Sequence, residues 1–327
     1  MDATYIGAVD IGGTKIAAIV AGPQGPLARV TEPTIKSGPL EALPNQVIGM
    51  MGAACRQAGV DPASVTTAGI ASCGPFVHEQ GFLGLSTPNL CGGHTAAVDL
   101  PNDWDVIPVE RVLRERFNHI VIQNDCVAAL AAERTFGALQ GERDCVYATW
   151  STGIGFGLCV DGHILHGKHG NAGHAGHMLM SERQDALCGC GNRGDLEGLI
   201  SGRNIGRRMH ITTAELFRAA RSGDARAREI AVEAAQWFGR ALYNLTATLD
   251  TRAFAVGGSV WLNHGEWLAP IVLEEIERRL PALTSGITVV TAALGNLVAD
   301  IGALSLIIPD EWIAGWRVTQ PWQKLAG

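Results

Sequence analysis

Asp10-Ile11-Gly12-Gly13-Thr14-Lys15 has the composition of a phosphate cradle. Gly12 and Gly13 let the backbone come close to an anion, Thr14 offers a hydroxyl, Lys15 a positive charge, and Asp10 a carboxylate suited to holding water on Mg²⁺. The turn joins two strand-like runs, so it is neither a Walker loop nor a dinucleotide fingerprint. A second turn of this kind is Thr152-Gly153-Ile154-Gly155, and a third is Gly257-Gly258-Ser259 behind an apolar strand. Each alone also reads as a plain tight turn, but three glycine turns at strand ends suit one nucleotide held from several sides.

Asn124-Asp125 follows the apolar run Ile120-Val121-Ile122 and precedes a helical pattern. This puts it at the carboxyl end of a strand, where open α/β sheets hold their ligands. Asp125 is the candidate general base, because phosphoryl transfer asks of a protein mainly positioning, a divalent cation and one carboxylate to take the hydroxyl proton. The same dipeptide also fits a simple helix cap. Further on, His174-Ala175-Gly176-His177 precedes Cys188-Gly189-Cys190 and Asp195 in a glycine-rich loop. Imidazole, two thiolates and a carboxylate are a donor set for tetrahedral zinc, or else two buried thiols beside surface imidazoles.

The elements that must position these groups alternate. Strand-like runs cover 4–9, 15–20, 65–71, 119–123, 145–150, 156–160, 253–256 and 287–291. Helical spacing covers 39–58, 110–117, 126–136, 212–222, 225–249, 267–279 and 297–307. That alternation predicts an α/β fold. At 327 residues the chain has room for two domains, and 47% hydrophobic with 17% charged residues is globular composition. There is no apolar run of about 18 uncharged residues, so no membrane span is expected. Against 25 Lys+Arg stand 32 Asp+Glu, a net charge of -7 that argues against nucleic acid as a partner. Eight scattered Cys do not form a disulfide framework, and no secretory signal precedes Tyr5, which points to the cytoplasm.

Taken in order, these stretches resemble the ROK (repressor, open reading frame, kinase) family of the actin and hexokinase superfamily. The resemblance runs from Asp10 to about Ile307. It rests on the Asp10–Lys15 turn, Thr87-Pro88-Asn89-Leu90, Asn124-Asp125, Ser151–Gly155, Ala172–His177, Cys188–Glu197 and Gly257-Gly258-Ser259. It implies an actin-like ATPase, ribonuclease H-like fold in two domains: 1–122, completed by a C-terminal helix at about 297–327, and 123–296 with a zinc-binding loop at 167–195. The active site is expected in the cleft, with ATP and Mg²⁺ as phosphoryl source and a hexose or N-acetylhexosamine 6-hydroxyl as acceptor. Asp125 matches the family's catalytic base. Asn89, Asn124, His174, His177 and Glu197 match sugar ligands, and Asp10, Gly12, Gly13, Thr14, Lys15, Thr152, Gly153, Gly155, Gly257 and Gly258 the nucleotide-binding turns. The zinc, structural rather than chemical, falls to His177, Cys188, Cys190 and Asp195, with His177 touching sugar through its other nitrogen. The family's habit also suggests a homodimer.

Two departures stand out. His174 occupies the place of a family glutamate that accepts hydrogen bonds from hydroxyls near C1 and C2 of the sugar. A neutral imidazole offers one donor and one acceptor, which suits a C2 acetamido group, so the expected acceptor is an amino sugar, N-acetylmannosamine first. Glucokinase or fructokinase is the alternative. Asp195 stands where the family motif has its third Cys, and trading a thiolate for a carboxylate should weaken or reshape the site. From another class, a transcriptional regulator needs a helix-turn-helix ahead of the first glycine turn, where only nine residues precede Asp10. A non-catalytic sugar sensor would have no use for Asp125.

Overall fold

In a computed structural model of the chain, residues 5–92, 104–183 and 185–326 are described, and Thr4, the expected start of the first strand, lies outside them. The chain divides into two compact units, 1–136 with 166–172 and 296–327, and 137–165 with 173–295. The first unit holds strands β1 (Ile6–Ile11), β2 (Lys15–Gly22), β3 (Gly25–Pro33), β4 (Thr67–Ser72), β5 (Phe76–Glu79), β6 (Phe82–Leu85) and β7 (His119–Asn124). The second holds β8 (Cys145–Trp150), β9 (Ile154–Val160), β10 (His163–Ile164), β11 (Ala253–Gly257) and β12 (Thr288–Thr291).

The main sheet of the first unit has the order β3-β2-β1-β4-β7, and that of the second β10-β9-β8-β11-β12. In both, the first three strands in sequence form an antiparallel meander and the last two join in parallel. One topology is thus used twice, and it is the expected ribonuclease H-like, actin-like plan.

Alternation along β1 sorts the layers of the first sheet, since successive side chains point to opposite faces. Val9 and Ile11 join Ile16, Ala18, Val20, Ala68 and Ile70 in a core that the helix Ala42–Ala58 covers with Val47, Met50, Met51 and Ala54. Ala8 and Asp10 point the other way. On that face Gly69, registered with Ala8, meets the backbone of the helix Val298–Ser305 so closely that a Cβ would stand 2.2 Å from the Ala303 carbonyl oxygen. The helix Asp125–Phe136 lies beside it, with Gly302 against Ala128. The second unit is built around Trp150, Phe156, Phe217, Phe238, Phe254 and Trp261, under the helices Ala225–Leu249 and Ser259–Glu277. Buried Glu275 ties those two helices together, accepting from Arg240 at 3.0 Å and pairing also with Arg278 and Arg279.

The differences from the sequence reading are specific. The expected helix over 267–279 starts at Ser259, so the Gly257-Gly258 turn feeds directly into a helix that accommodates Pro270 inside it. β3, the β5-β6 hairpin, the short helix Pro88–Cys91 and the helix Asp310–Thr319 were not expected. The tryptophan-rich tail packs within the first unit: Trp316 donates to the Pro23 carbonyl at 2.9 Å, and Phe136 lies against Trp316 and Trp322.

Candidate active site and metal-ligand cluster

In the first unit the glycine turn is pinned from beneath. Gly12 N–H donates to the Lys15 carbonyl at 3.0 Å, while the Thr34 hydroxyl donates to the Gly12 carbonyl at 2.7 Å and Thr34 N–H to the Thr14 carbonyl at 3.0 Å. Thr14 and Lys15 stand exposed at its tip. Asn89, on the short helix behind Thr87, lies over the turn, so that a Cβ on Gly13 would come within 3.0 Å of Asn89 Cβ.

Asp125 opens its helix directly after β7. The Cys126 amide is shared by Asn124 Oδ1 at 2.9 Å and Asp125 Oδ1 at 2.8 Å. The dipeptide therefore caps the helix, and the cap in turn fixes the carboxylate. Burial pushes the Asp125 carboxyl above its ordinary range, against the opposing pull of hydrogen bonds from Cys126 and Asn124. Asp10, at the end of β1, is pushed to about 7, by burial first and then by the neighbouring charges of Asp125 and Asp300, with Lys15 and Arg29 pulling the other way. Half-buried Cys73, just past the end of β4, has its thiol pushed up to about 12 by desolvation and then by Asp125. The site thus concentrates like charge out of water, which favours binding of a cation.

In the second unit Ser151–Gly153 turns β8 into β9, with Ser151 N–H donating to the Gly153 carbonyl at 3.0 Å. Glu197 Oε2 accepts from Ile154 N–H at 2.9 Å and lies against Gly153. The turn at Gly257-Gly258 sits alongside: Ser151 Oγ and Ser259 Oγ are 3.1 Å apart. Gly258 has φ +87°, and a Cβ there would fall 2.5 Å from the Trp150 carbonyl, so only glycine serves at that point. Two of the three predicted glycine turns are therefore brought together at one end of this sheet.

His177, Cys188, Cys190 and Asp195 each offer a ligand atom, all within 4.8 Å of one another. His177 Nδ1 lies 3.1 Å from Asp195 Oδ2 and 3.7 Å from Cys188 Sγ, and Cys190 Sγ lies 3.5 Å from Asp195 Oδ2. These spacings suit tetrahedral zinc. Of the two candidate imidazoles, His177 joins the cluster, while His174 precedes it at the start of a 3-10 turn, its ring centroid 6.1 Å from that of His177. Asp195 serves twice, since its Oδ1 accepts from Gly198 N–H at 2.7 Å and caps the helix Leu196–Ile200. Without a metal, Asp195 and Cys190 hold the His177 imidazolium, raising it to about 10, and Cys190 falls to about 5 through its bonds from Cys188 and His177. Cys188 is pushed up, by its contact with Cys190 and by burial.

Sequence reasoning missed Arg29 and Asp300. Arg29 Nε donates to Asp300 Oδ2 at 3.0 Å, and Asp300 is buried. At 271 positions apart in the chain, no local pattern pairs them.

The profile of the ROK family matches residues 6–309, and the chain belongs to that family. Its fold is the actin-like ATPase fold, and it is an ATP-dependent sugar kinase. A glucokinase of Aeropyrum pernix is 28% identical over 326 residues, covering 91% of this chain and 95% of its own. An N-acetylmannosamine kinase of Shigella boydii is 33% identical over 266 residues, covering 79% of this chain and 84% of its own. The crystal structure of a ROK hexokinase from Thermus thermophilus superposes with a TM-score of 0.76 at 32% identity, covering 92% of this chain and 97% of that one.

Proposed function

We propose that the chain transfers the γ-phosphoryl group of ATP to the 6-hydroxyl of an amino sugar, N-acetylmannosamine first. The observation that carries the choice of sugar is His174, adjoining His177 where a carboxylate would refuse a carbonyl acceptor. The likeness to the Shigella boydii enzyme supports it. Likeness to the Aeropyrum pernix glucokinase favours glucose as the second reading.

In this reading Asp125 accepts the proton of the attacking hydroxyl, and its raised affinity for protons makes it a better base. The Cys126 amide and Asn124 hold the carboxylate in one orientation. Asn89, Asn124, His174, His177 and Glu197 bind the sugar. The Gly12–Lys15 turn, with Thr152, Gly153, Gly155, Gly257 and Gly258, holds the nucleotide, and Asp10 orders water around its cation. Magnesium bound with ATP supplies charge neutralisation on the phosphates. His177, Cys188, Cys190 and Asp195 would hold zinc, which supplies a cross-link within the sugar-binding loop. We expect a cytoplasmic protein and a homodimer.

The test is ADP release with ATP and Mg²⁺ on N-acetylmannosamine, N-acetylglucosamine, glucose, mannose and fructose in parallel. Activity concentrated on N-acetylmannosamine is the expected outcome. Much faster turnover of glucose than of either N-acetyl sugar would overturn the choice of substrate and leave the kinase standing.

A further inference from the structure

We propose that Glu197 is a positioning residue for the nucleotide: its Oε2 holds the β8–β9 turn in the shape that receives phosphate, apart from what its other oxygen gives the sugar. This deepens the proposed function and rests on the reading of Thr152–Gly155 as a nucleotide-binding turn.

The turn is fastened to one short segment of chain. Ile154 N–H donates to Glu197 Oε2 at 2.9 Å, and a Cβ on Gly153 would stand 2.7 Å from the same oxygen. Just beyond the helix Leu196–Ile200, Gly202 N–H donates to the Ser151 carbonyl at 2.7 Å and Arg203 N–H to the Thr152 carbonyl at 3.2 Å. The Gly153 carbonyl accepts from Ser151 N–H. Three successive carbonyls are therefore taken up by protein donors, which keeps their negative ends occupied rather than presented to a phosphate.

Glu197 is itself braced. Asp195 Oδ1 caps the helix that carries it, accepting from Gly198 N–H at 2.7 Å, and Cys188 Sγ lies 3.3 Å from Glu197 Oε1. The two carboxylate oxygens divide the work: Oε2 is committed to the turn, which leaves Oε1 to accept from a sugar hydroxyl. Ile154 meets the sugar side as well, since a Cβ on Gly176, between His174 and His177, would stand 2.1 Å from the Ile154 carbonyl oxygen. One residue thus has its N–H held by Glu197 and its carbonyl overlain by the segment of the sugar imidazoles. Ile154 is buried, so losing the acceptor of its N–H is costly, and the turn must move to find another.

The experiment measures ATP binding by calorimetry with Mg²⁺ and no sugar present, where a sugar ligand has no part. Glu197→Ala should weaken ATP by about tenfold and speed exchange of the Ile154 amide, followed by NMR of protein labelled at isoleucine nitrogen. Glu197→Gln keeps a carbonyl oxygen for Ile154 N–H but presents an NH₂ in place of Oε1, so it should hold ATP within about twofold while raising KM for the sugar. Both variants lose the same charge, and the difference between them isolates the hydrogen bond. Gly153→Ala, which presses a methyl onto Oε2, should also expose the Ile154 amide and serves if Glu197→Ala does not fold. Unchanged Ile154 exchange in Glu197→Ala would overturn the proposal, as would Glu197→Gln losing as much ATP affinity as Glu197→Ala. Failure of the nucleotide-turn reading shows separately, as faster Ile154 exchange with ATP affinity unmoved.

Discussion

The two units repeat one sheet topology but treat buried charge in opposite ways. In the first, Asp10, Asp125 and Asp300 crowd together, all shifted toward their protonated forms by burial and, for Asp10, by the other two carboxylates. In the second, the anionic donors Asp195 and Cys190 gather around His177 and hold a proton on it, so the imidazolium offsets part of their charge. The first arrangement leaves charge to be supplied by a ligand, while the second already contains a proton that a metal ion would have to displace. A shared scaffold therefore says little about a site's electrostatics, which is set by a few residues at strand ends.

The sharpest break in this comparison is Asp125→Asn. It should lower kcat by about 10²–10⁴-fold while the melting temperature holds or rises, because a carboxylate that repels Asp10 is gone. Near-normal turnover would remove Asp125 from the chemistry. In the second unit the same kind of change should do the reverse. Cys188→Ala should release zinc, seen by metal analysis, and lower the melting temperature by several degrees, on the order of 2–4 kcal/mol of lost cross-linking. Asp195→Cys sharpens the point: zinc should bind more tightly, but loss of the Gly198 cap offsets about 1 kcal/mol of the gain.

Titration should separate the units next. The Asp10 carboxyl is raised from 3.8 to about 7, so its folded state holds a proton that the unfolded chain gives up. Its contribution to stability is present below the unfolded value and is lost as pH rises toward 7. His177, raised from 6.5 to about 10 in metal-free protein, contributes stability that is present below its unfolded value and fades as pH rises through 10. Metal-free protein should therefore lose stability between acid and neutral pH, and Mg²⁺ with nucleotide should restore more of it at neutral than at acid pH, as thermal melts would record. A melting curve indifferent to pH over that interval would contradict the carboxylate crowding. The smallest effect expected is a change of sugar preference: His174→Glu should favour unsubstituted hexoses over N-acetyl ones by about tenfold, read as a ratio of kcat/KM values.

Most of the site's composition was legible because its residues sit in short local stretches at strand ends. The donor set His177, Cys188, Cys190 and Asp195 came from spacing and resemblance together, and the structure chooses His177 over His174 for the cluster. What escaped was either disguised or distant. β3 begins Gly25-Pro26 and ends on Pro33, residues that argue against an interior strand, and it lies at the sheet edge where proline is tolerated. The β5-β6 hairpin had a signal, Gln80-Gly81 between apolar runs, and both residues have positive φ as a two-residue turn requires. The helix Asp310–Thr319 had another: Pro309, then two acidic residues and Trp312 and Trp316 one turn apart. The Arg29–Asp300 pair had none, because only the completed sheet brings its members to one face.

That completed sheet bears on the order in which the chain matures during synthesis. The Asp10 face of β1 and the bare backbone at Gly69 are covered by the helix Val298–Ser305, and the Pro23 carbonyl waits for Trp316. A ribosome therefore exposes the phosphate turn early but delivers its lid of packing last, after the whole second unit has emerged and had time to fold. The nascent protein should bring His177, Cys188, Cys190 and Asp195 together before it can handle ATP, and a half-made chain should be inert toward the cell's nucleotide pool.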